Sequence, residues 1–266
     1  MTDEVKKLKE LIDGTDNIVF FGGAGVSTES GIPDFRSVDG LYHQQWDDPP
    51  ETILSHTYYE RYPEKFFAFY RAKLLCEGAK PNAAHLKLAE WEKEGKLKAV
   101  ITQNIDGLHQ AAGSRNVYEL HGSVHRNHCE RCGKFYSLDH ILHTTGVPRC
   151  ACGGIIKPDV VLYEEGLDQG TLEAAVRALA EADMLILPIP VTKIPEQKML
   201  NDILNKNLTN DTLVLGGCFS TEQQELLERR DIHYLDFMRD EIVTEENAVA
   251  TAEGVIAELV NHSPYN

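Results

Sequence analysis

Short apolar runs alternate with helix-period stretches along most of this chain. Asn17-Ile18-Val19-Phe20-Phe21 and Leu97-Lys98-Ala99-Val100-Ile101 read as buried strands. Val117-Tyr118-Glu119-Leu120, Met184-Leu185-Ile186-Leu187, Thr212-Leu213-Val214-Leu215 and Ile232-His233-Tyr234-Leu235 read the same way. Between them the spacing predicts a short amphipathic helix around 8–12 and helices over 60–76, 85–94, 171–182, 221–230 and 248–260. Residues 31–50 are irregular, aromatic and proline-rich. Strands that alternate with helices predict an α/β fold: a Rossmann-like, mostly parallel sheet with helices on both faces and right-handed crossovers.

In such sheets ligands bind outside the carboxyl ends of the strands, so the strand exits carry the candidate chemistry. The strand at 97–101 runs into Thr102-Gln103-Asn104-Ile105-Asp106-Gly107-Leu108-His109. Gln, Asn and Asp together in one turn need paired partners to offset desolvation, which a site or a well-satisfied loop supplies. The first strand runs into Gly22-Gly23-Ala24-Gly25-Val26-Ser27, a glycine-rich turn that lets backbone N–H groups approach a pyrophosphate. Its spacing departs from G-x-G-x-x-G, with Thr28 where the third glycine would fall. Gly31-Ile32-Pro33-Asp34-Phe35-Arg36 adds charge, a ring face and a guanidinium that matches phosphate. His121-Gly122 closes the short strand at 117–120, and a histidine there can accept a proton near neutral pH.

Composition narrows the class. The 266 residues suit one large α/β domain, or a main domain with a small inserted one. No apolar run approaches the roughly 18 residues of a membrane span, and the N-terminal residues lack a secretory layout, so the expected location is cytoplasmic. A net charge of −16 argues against nucleic-acid binding; it suits solubility, or attraction of lysine-rich peptides. Of six cysteines, Cys129, Cys132, Cys150 and Cys152 cluster. In a reducing compartment that cluster favours a structural, tetrahedral zinc over disulfides, with four protein ligands leaving no open position.

Taken in order, Gly23-Ala24-Gly25-Val26-Ser27, Gly31-Ile32-Pro33-Asp34-Phe35-Arg36, the 102–109 exit and His121-Gly122 resemble a sirtuin, an NAD-dependent protein lysine deacylase. The cysteine cluster and Lys157-Pro158-Asp159-Val160-Val161-Leu162-Tyr163 extend the resemblance over about 5–187. It implies that Gly23, Ala24, Gly25 and Ser27 line the diphosphate and that Asp34, Phe35 and Arg36 form a cofactor loop. Gln103, Asn104, Ile105 and Asp106 would hold the nicotinamide ribose and pocket, with Asn104 and Asp106 catalytic beside His121. In the family's reaction the acyl oxygen of an acyl-lysine attacks the ribose C1′ and expels nicotinamide. His121 would then deprotonate a ribose hydroxyl, giving free lysine and O-acyl-ADP-ribose. Val160, Val161, Leu162 and Tyr163 would bind an acyl-lysine peptide by strand addition. Tyr70-x-x-Lys73 stands where members that remove acidic acyl groups carry Tyr-x-x-Arg, so acetyl or another uncharged acyl group is expected. The implied division is a Rossmann-like NAD-binding domain over 1–30, 81–124 and 158–266, with a small helical and zinc-binding domain over 31–80 and 125–157.

Beyond residue 186 the pattern changes. A sirtuin would continue with Gly-Thr-Ser-Leu; this chain has Leu187-Pro188-Ile189-Pro190-Val191-Thr192-Lys193. Gly216-Gly217-Cys218 stands where an Asn is expected. These stretches, with Ala250-Thr251-Ala252-Glu253-Gly254-Val255-Ile256, resemble the A subunit of dipicolinate synthase over about 183–260, which predicts a chimera joined within the strand at 184–187. The alternatives are a folded scaffold with little or no deacylase activity and a protein mono-ADP-ribosyltransferase. A dehydrogenase is disfavoured, because no substrate-domain pattern follows the nucleotide unit.

Overall fold

The computed structural model describes residues 3–33, 46, 48–191, 197–206 and 208–239. In chain order, helix α1 (Asp3–Asp13) leads into strand β1 (Ile18–Gly22) and a 3-10 helix at Ala24–Ser30. Helices α2 (Pro50–Ile53), α3 (His56–Arg61), α4 (Pro63–Lys73) and α5 (Ala83–Lys93) follow, then β2 (Leu97–Thr102), α6 (Leu108–Ala112) and β3 (Val117–Glu119). Next come β4 (Gly122–Cys129), β5 (Phe135–Ser137), α7 (Leu138–Leu142) and β6 (Ile156–Val160). The last described part comprises α8 (Gln169–Ala180), β7 (Met184–Ile186), α9 (Gln197–Lys206), β8 (Leu213–Gly216), α10 (Thr221–Arg229) and β9 (Tyr234–Asp236).

Six strands form one parallel sheet in the order β3-β2-β1-β7-β8-β9. The chain starts centrally, moves outward to β3, then returns to the other side of β1, so the switch of direction lies between β1 and β7. Such a switch leaves a crevice at the carboxyl ends of the two central strands. Side chains alternate across β1, which explains the two cores. Val19 and Phe21 pack with Ala175 and Leu179 of α8, Leu200 and Leu204 of α9 and Leu227 of α10. Ile18 and Phe20 pack on the opposite face with Leu8 and Ile12 of α1 and Leu88 and Trp91 of α5. A strand buried on both faces reads as continuous apolar sequence, as β1 does.

A second sheet, β5-β4-β6, is antiparallel. It shares a third core with α2, α3 and α4, where Phe66, Phe67 and Tyr70 meet Ile156, Val160 and Cys129. This sheet is not anticipated from the sequence, because β4 (Gly-Ser-Val-His-Arg-Asn-His-Cys) is mostly polar and lacks a clean alternation.

Other differences have local causes. The single helix expected over 60–76 is two, parted at Tyr62 and Pro63, since proline at a first helical position starts a helix and cannot continue one. The turn after β1 opens a 3-10 helix rather than an α-helix. Helix α9 is a further element that the strand-and-helix reading does not contain, although Leu200, Ile203 and Leu204 give it a buried face. The helix expected over 248–260, and the stretch Ala250 to Ile256 used for the tail resemblance, lie outside the described residues.

Gly122 is the joint between the two sheets. It has φ +75°, and a Cβ there would stand 1.8 Å from the Asp159 carbonyl oxygen. Gly122→Ala should therefore lower stability by about 2 kcal/mol or more. Gly133→Ala, at φ +69° with open space around it, should cost about 1 kcal/mol from backbone strain alone. Urea unfolding of the two variants beside the parent checks the difference.

Candidate active site

The carboxyl ends of β1, β2 and β3 and the segment after β6 open onto one cleft of about 1660 Å³. Gly23, Ala24, Gly25 and Ser27 line it from the β1 exit, and Gln103, Asn104, Ile105 and Asp106 from the β2 exit. His121 enters from the β3 exit, and Val160, Val161, Leu162 and Tyr163 from beyond β6. Those sequence-predicted residues are thus brought together. Asp34, Phe35 and Arg36 lie outside the described residues.

Hydrogen bonds join the first two exits. The Asn104 side-chain amide donates to Ser27 Oγ at 2.9 Å, and that hydroxyl donates to Asp106 Oδ2 at 2.7 Å. The other oxygen of Asp106 accepts the Leu108 N–H at 2.8 Å, starting α6. Thr102 Oγ1 accepts the Asn104 N–H at 3.0 Å. Each amide and acid of the 104–106 turn is therefore held by a named partner, and the polar turn survives burial. Two further residues support the two exits and were not given a role from the sequence. Asn82 donates to the Val26 carbonyl at 2.7 Å while capping α5, and His125 Nε2 donates to the Asp106 carbonyl at 2.9 Å. The Asn before a helix-period run was a readable capping signal for the first; His125 had none, since its role depends on the fold.

Behind the turn, His85 and His109 lie with ring centroids 4.7 Å apart. Burial, and secondarily the neighbouring His85, hold the His109 pKa down to about 3, so it is a neutral ring at neutral pH.

The segment 161–165 is anchored rather than free along its length. Val161 N–H donates to the His121 carbonyl at 3.0 Å. Tyr163 N–H donates to the Leu54 carbonyl, and its own carbonyl accepts the His56 N–H, both at 3.0 Å. Glu165 accepts from the Leu162 N–H, His56 Nδ1 and Lys157 Nζ. Glu164, at φ +76°, accepts from the Thr57 N–H and hydroxyl. Nearby, Lys73 lines the cleft, whereas Tyr70 is fully buried, its hydroxyl without a partner among the described residues.

On the far side the cleft is bounded by Pro188, Ile189, Pro190, Lys198 and Met199. The two prolines bring no N–H donors, but the residues flanking them do. Leu187 N–H donates to the Leu215 carbonyl and Val191 N–H to the Gly217 carbonyl, so the wall stays tied to the β8 exit. A Cβ on Gly217 would lie 2.9 Å from Ile189 Cδ1, which explains a glycine there. Asp236, at the end of β9, accepts the N–H groups of Cys218 and Phe219.

The four clustered cysteines stand at the tip of the second sheet. Their Sγ atoms all lie within 4.8 Å of one another; Cys129 and Cys152 approach to 3.4 Å, and Cys132 and Cys150 to 3.6 Å. Tetrahedral zinc with Zn–S near 2.3 Å would set these separations at about 3.8 Å. A Cβ on Gly154 would lie 2.7 Å from Cys129 Sγ, so glycine keeps that side open. The donor set and spacing fit a metal ion.

Known proteins resemble this chain. The Sir2 family model matches residues 23–188. The chain belongs to the Sir2 family. An NAD-dependent protein deacetylase of Clostridium perfringens is 59% identical over 190 residues, covering 70% of this chain and 78% of that protein. One of Sulfolobus acidocaldarius is 46% identical over 192 residues, covering 70% and 73%. A Sir2 structure solved for mechanism and regulation superposes with TM-score 0.73 at 32% identity, covering 98% of both chains. A Sir2 homologue in complex with NAD gives TM-score 0.72 at 31% identity, covering 97% of this chain and 93% of that one.

That coverage corrects the expectation of a chimera with a dipicolinate-synthase-like tail. The Sir2 likeness runs through the part assigned to a second family. Within the structure, β7, β8 and β9 continue the same sheet in register from β1. The 187–191 and 216–218 stretches pack against each other at two adjacent strand exits.

The His56 contacts give a pH dependence. Hydrogen bonding to Glu165 raises the His56 pKa above its ordinary 6.5, with Glu60 adding to it and Lys157 opposing. A raised histidine stabilises the fold fully below 6.5, and that contribution is lost as pH rises through the folded value. Stability should fall as pH rises above 6.5 in the parent and fall less in His56→Gln, as read by thermal unfolding across pH.

Proposed function

We propose that this chain removes acyl groups from protein lysines at the expense of NAD, releasing nicotinamide and O-acyl-ADP-ribose. The observation that carries this reading is the convergence of the Ser27–Asp106–Asn104 network, His121 and the 160–163 segment on one cleft. It is supported by the family membership and by solved relatives described with NAD, with a propionylated peptide and with a p53 peptide.

Bound NAD supplies an electrophilic ribose carbon from which nicotinamide can leave. The chain's residues do the rest. Gly23, Ala24 and Gly25 present backbone to the diphosphate, with no side chain larger than a methyl beside it. Asn104 and Asp106, held by Ser27, fix the ribose and the nicotinamide pocket with Gln103 and Ile105. Asp34, Phe35 and Arg36 belong to this cofactor set by resemblance. His121 takes the proton of a ribose hydroxyl, which arms that oxygen against the acyl carbon. The peptide is held beside the 160–163 segment, whose own backbone is fixed by the bonds to His121, Leu54, His56 and Glu165. The cleft's Lys73 lacks the two-pronged fork of an arginine, in keeping with an uncharged acyl group such as acetyl.

Cys129, Cys132, Cys150 and Cys152 would hold a structural zinc that ties β4 to the 150–154 turn and takes no part in the chemistry. The division into a larger domain over 1–30, 81–124 and 158–266 and a smaller one over 31–80 and 125–157 is supported by the two separate sheets. Strands β4 and β6 both run across the proposed boundaries, so the division is drawn within continuous strands. Reduced, clustered thiols suit a cytoplasmic setting. Among the described residues no helix is long and apolar enough to cross a membrane.

Nicotinamide release from NAD with an acetyl-lysine peptide should be peptide-dependent, and deacylation should fall about 100-fold or more in His121→Ala. Peptide-independent release, or an unchanged variant, would overturn the reading. Zinc assay of the purified protein should find one ion per chain, and chelation should lower the unfolding temperature. A metal-free protein with unchanged melting would remove the zinc assignment.

A further inference from the structure

Strand β4 carries an irregularity that the reaction as described does not use. Ser123 pairs with Asp159 and Asn127 with Pro158, so three residues, Val124, His125 and Arg126, stand on β4 without counterparts on β6. Bulges re-aim side chains and recur beside active sites. Here each bulged residue reaches one of the loops that build the cleft. Val124 N–H donates to the Ile105 carbonyl at 3.0 Å, and His125 Nε2 donates to the Asp106 carbonyl at 2.9 Å. Arg126 turns toward the third loop: Nη1 donates to Glu119 Oε2 at 2.5 Å and Nε to Asp159 Oδ2 at 2.9 Å.

We infer that Arg126 is a positioning residue that fixes His121 by clamping Glu119, two residues before it, to Asp159, next to the peptide segment. Glu119 and Gly122 bracket only Leu120 and His121. Leu120 N–H is held by the Thr102 carbonyl at 2.9 Å, and the His121 carbonyl is held by Val161 N–H at 3.0 Å. The guanidinium closes this frame from the side: one arm goes to the β3 end of the turn and the other to the strand carrying Val160. The Glu119 side chain is only 7% exposed and is gripped by one arm, whereas Asp159, on the other, is half exposed. The planar fork suits two carboxylates on different strands in a way a lysine ammonium does not. No part of Arg126 is required to touch NAD or peptide; it acts through the place it gives the base.

This inference rests on the deacylase reading with His121 as base, and the test separates the two. Exchange of labelled nicotinamide into NAD reports the step before His121 acts; formation of free lysine reports the step that needs it. In Arg126→Ala the deacylation rate should fall about 10-fold or more through misplacement of the base, with nicotinamide exchange kept within about two-fold and KM for the peptide little changed. Arg126→Lys should recover only part of the loss. The Glu119→Gln/Arg126→Gln double variant leaves no buried unpaired carboxylate; it should melt near the parent yet keep the raised ratio of exchange to deacylation. A double variant that regains both stability and the parental ratio would show a structural role only. Equal loss of exchange and deacylation, or no loss, would also overturn the inference. Failure of the deacylase reading itself shows differently: the parent would give no peptide-dependent turnover.

Discussion

The Ser27 hydroxyl stands between two strands that the chain lays down about 80 residues apart. It accepts from Asn104 and donates to Asp106, so one oxygen satisfies an amide and an acid that each would be costly to bury alone. The rest of the cleft is arranged around that bond. The parallel pairing of β1 with β2 brings the two exits level, Gln103 N–H meeting the Gly22 carbonyl at 3.1 Å. The switch between β1 and β7 leaves the space above them open. Helix α6 begins on the second Asp106 oxygen, and the bulge in β4 holds the carbonyls of Ile105 and Asp106 from the other side.

The second sheet brings the 160–163 segment to this frame. Gly122 permits the chain to turn directly from His121 into β4, and the close approach of Asp159 at that point leaves no room for a side chain. His121 is therefore set by both sheets at once: its strand comes from the parallel one, and its carbonyl is claimed by the segment leaving the antiparallel one. The proposed catalysis would need the ribose, the acyl group and His121 in one geometry, which a joint with little freedom favours. The apolar 187–191 wall closes the opposite side by packing on glycines of the neighbouring exit rather than by hydroxyl contacts.

Much of this was legible in the chain. The strands β1, β2, β7 and β8 announce themselves as apolar runs because both of their faces are buried. The polar turn at 102–106 stands out because nothing in a core explains it. Less legible was whatever depends on long-range pairing. Strand β4 reads as polar because it is half exposed and bulged, so the second sheet, His125 and Arg126 had no periodic signal. Pro63 divides one expected helix into two, a local effect that the broad helical pattern over 60–76 conceals. The residues at 187–191 and 216–218 misled in a different way. Read as sequence they suggest a second parent, while in space they are two neighbouring strand exits repacked against each other within one sheet.

The claim at the centre of this account is that the two strand exits work as one unit through Ser27. The most direct test is a double-mutant cycle on NAD binding by calorimetry, with Ser27→Ala, Asn104→Ala and the double variant beside the parent. The account predicts strong non-additivity, a coupling of about 1 kcal/mol, because either single change already breaks the shared hydrogen-bond chain. Losses that add to within about 0.3 kcal/mol would mean that the two residues serve the cofactor independently, and would contradict it.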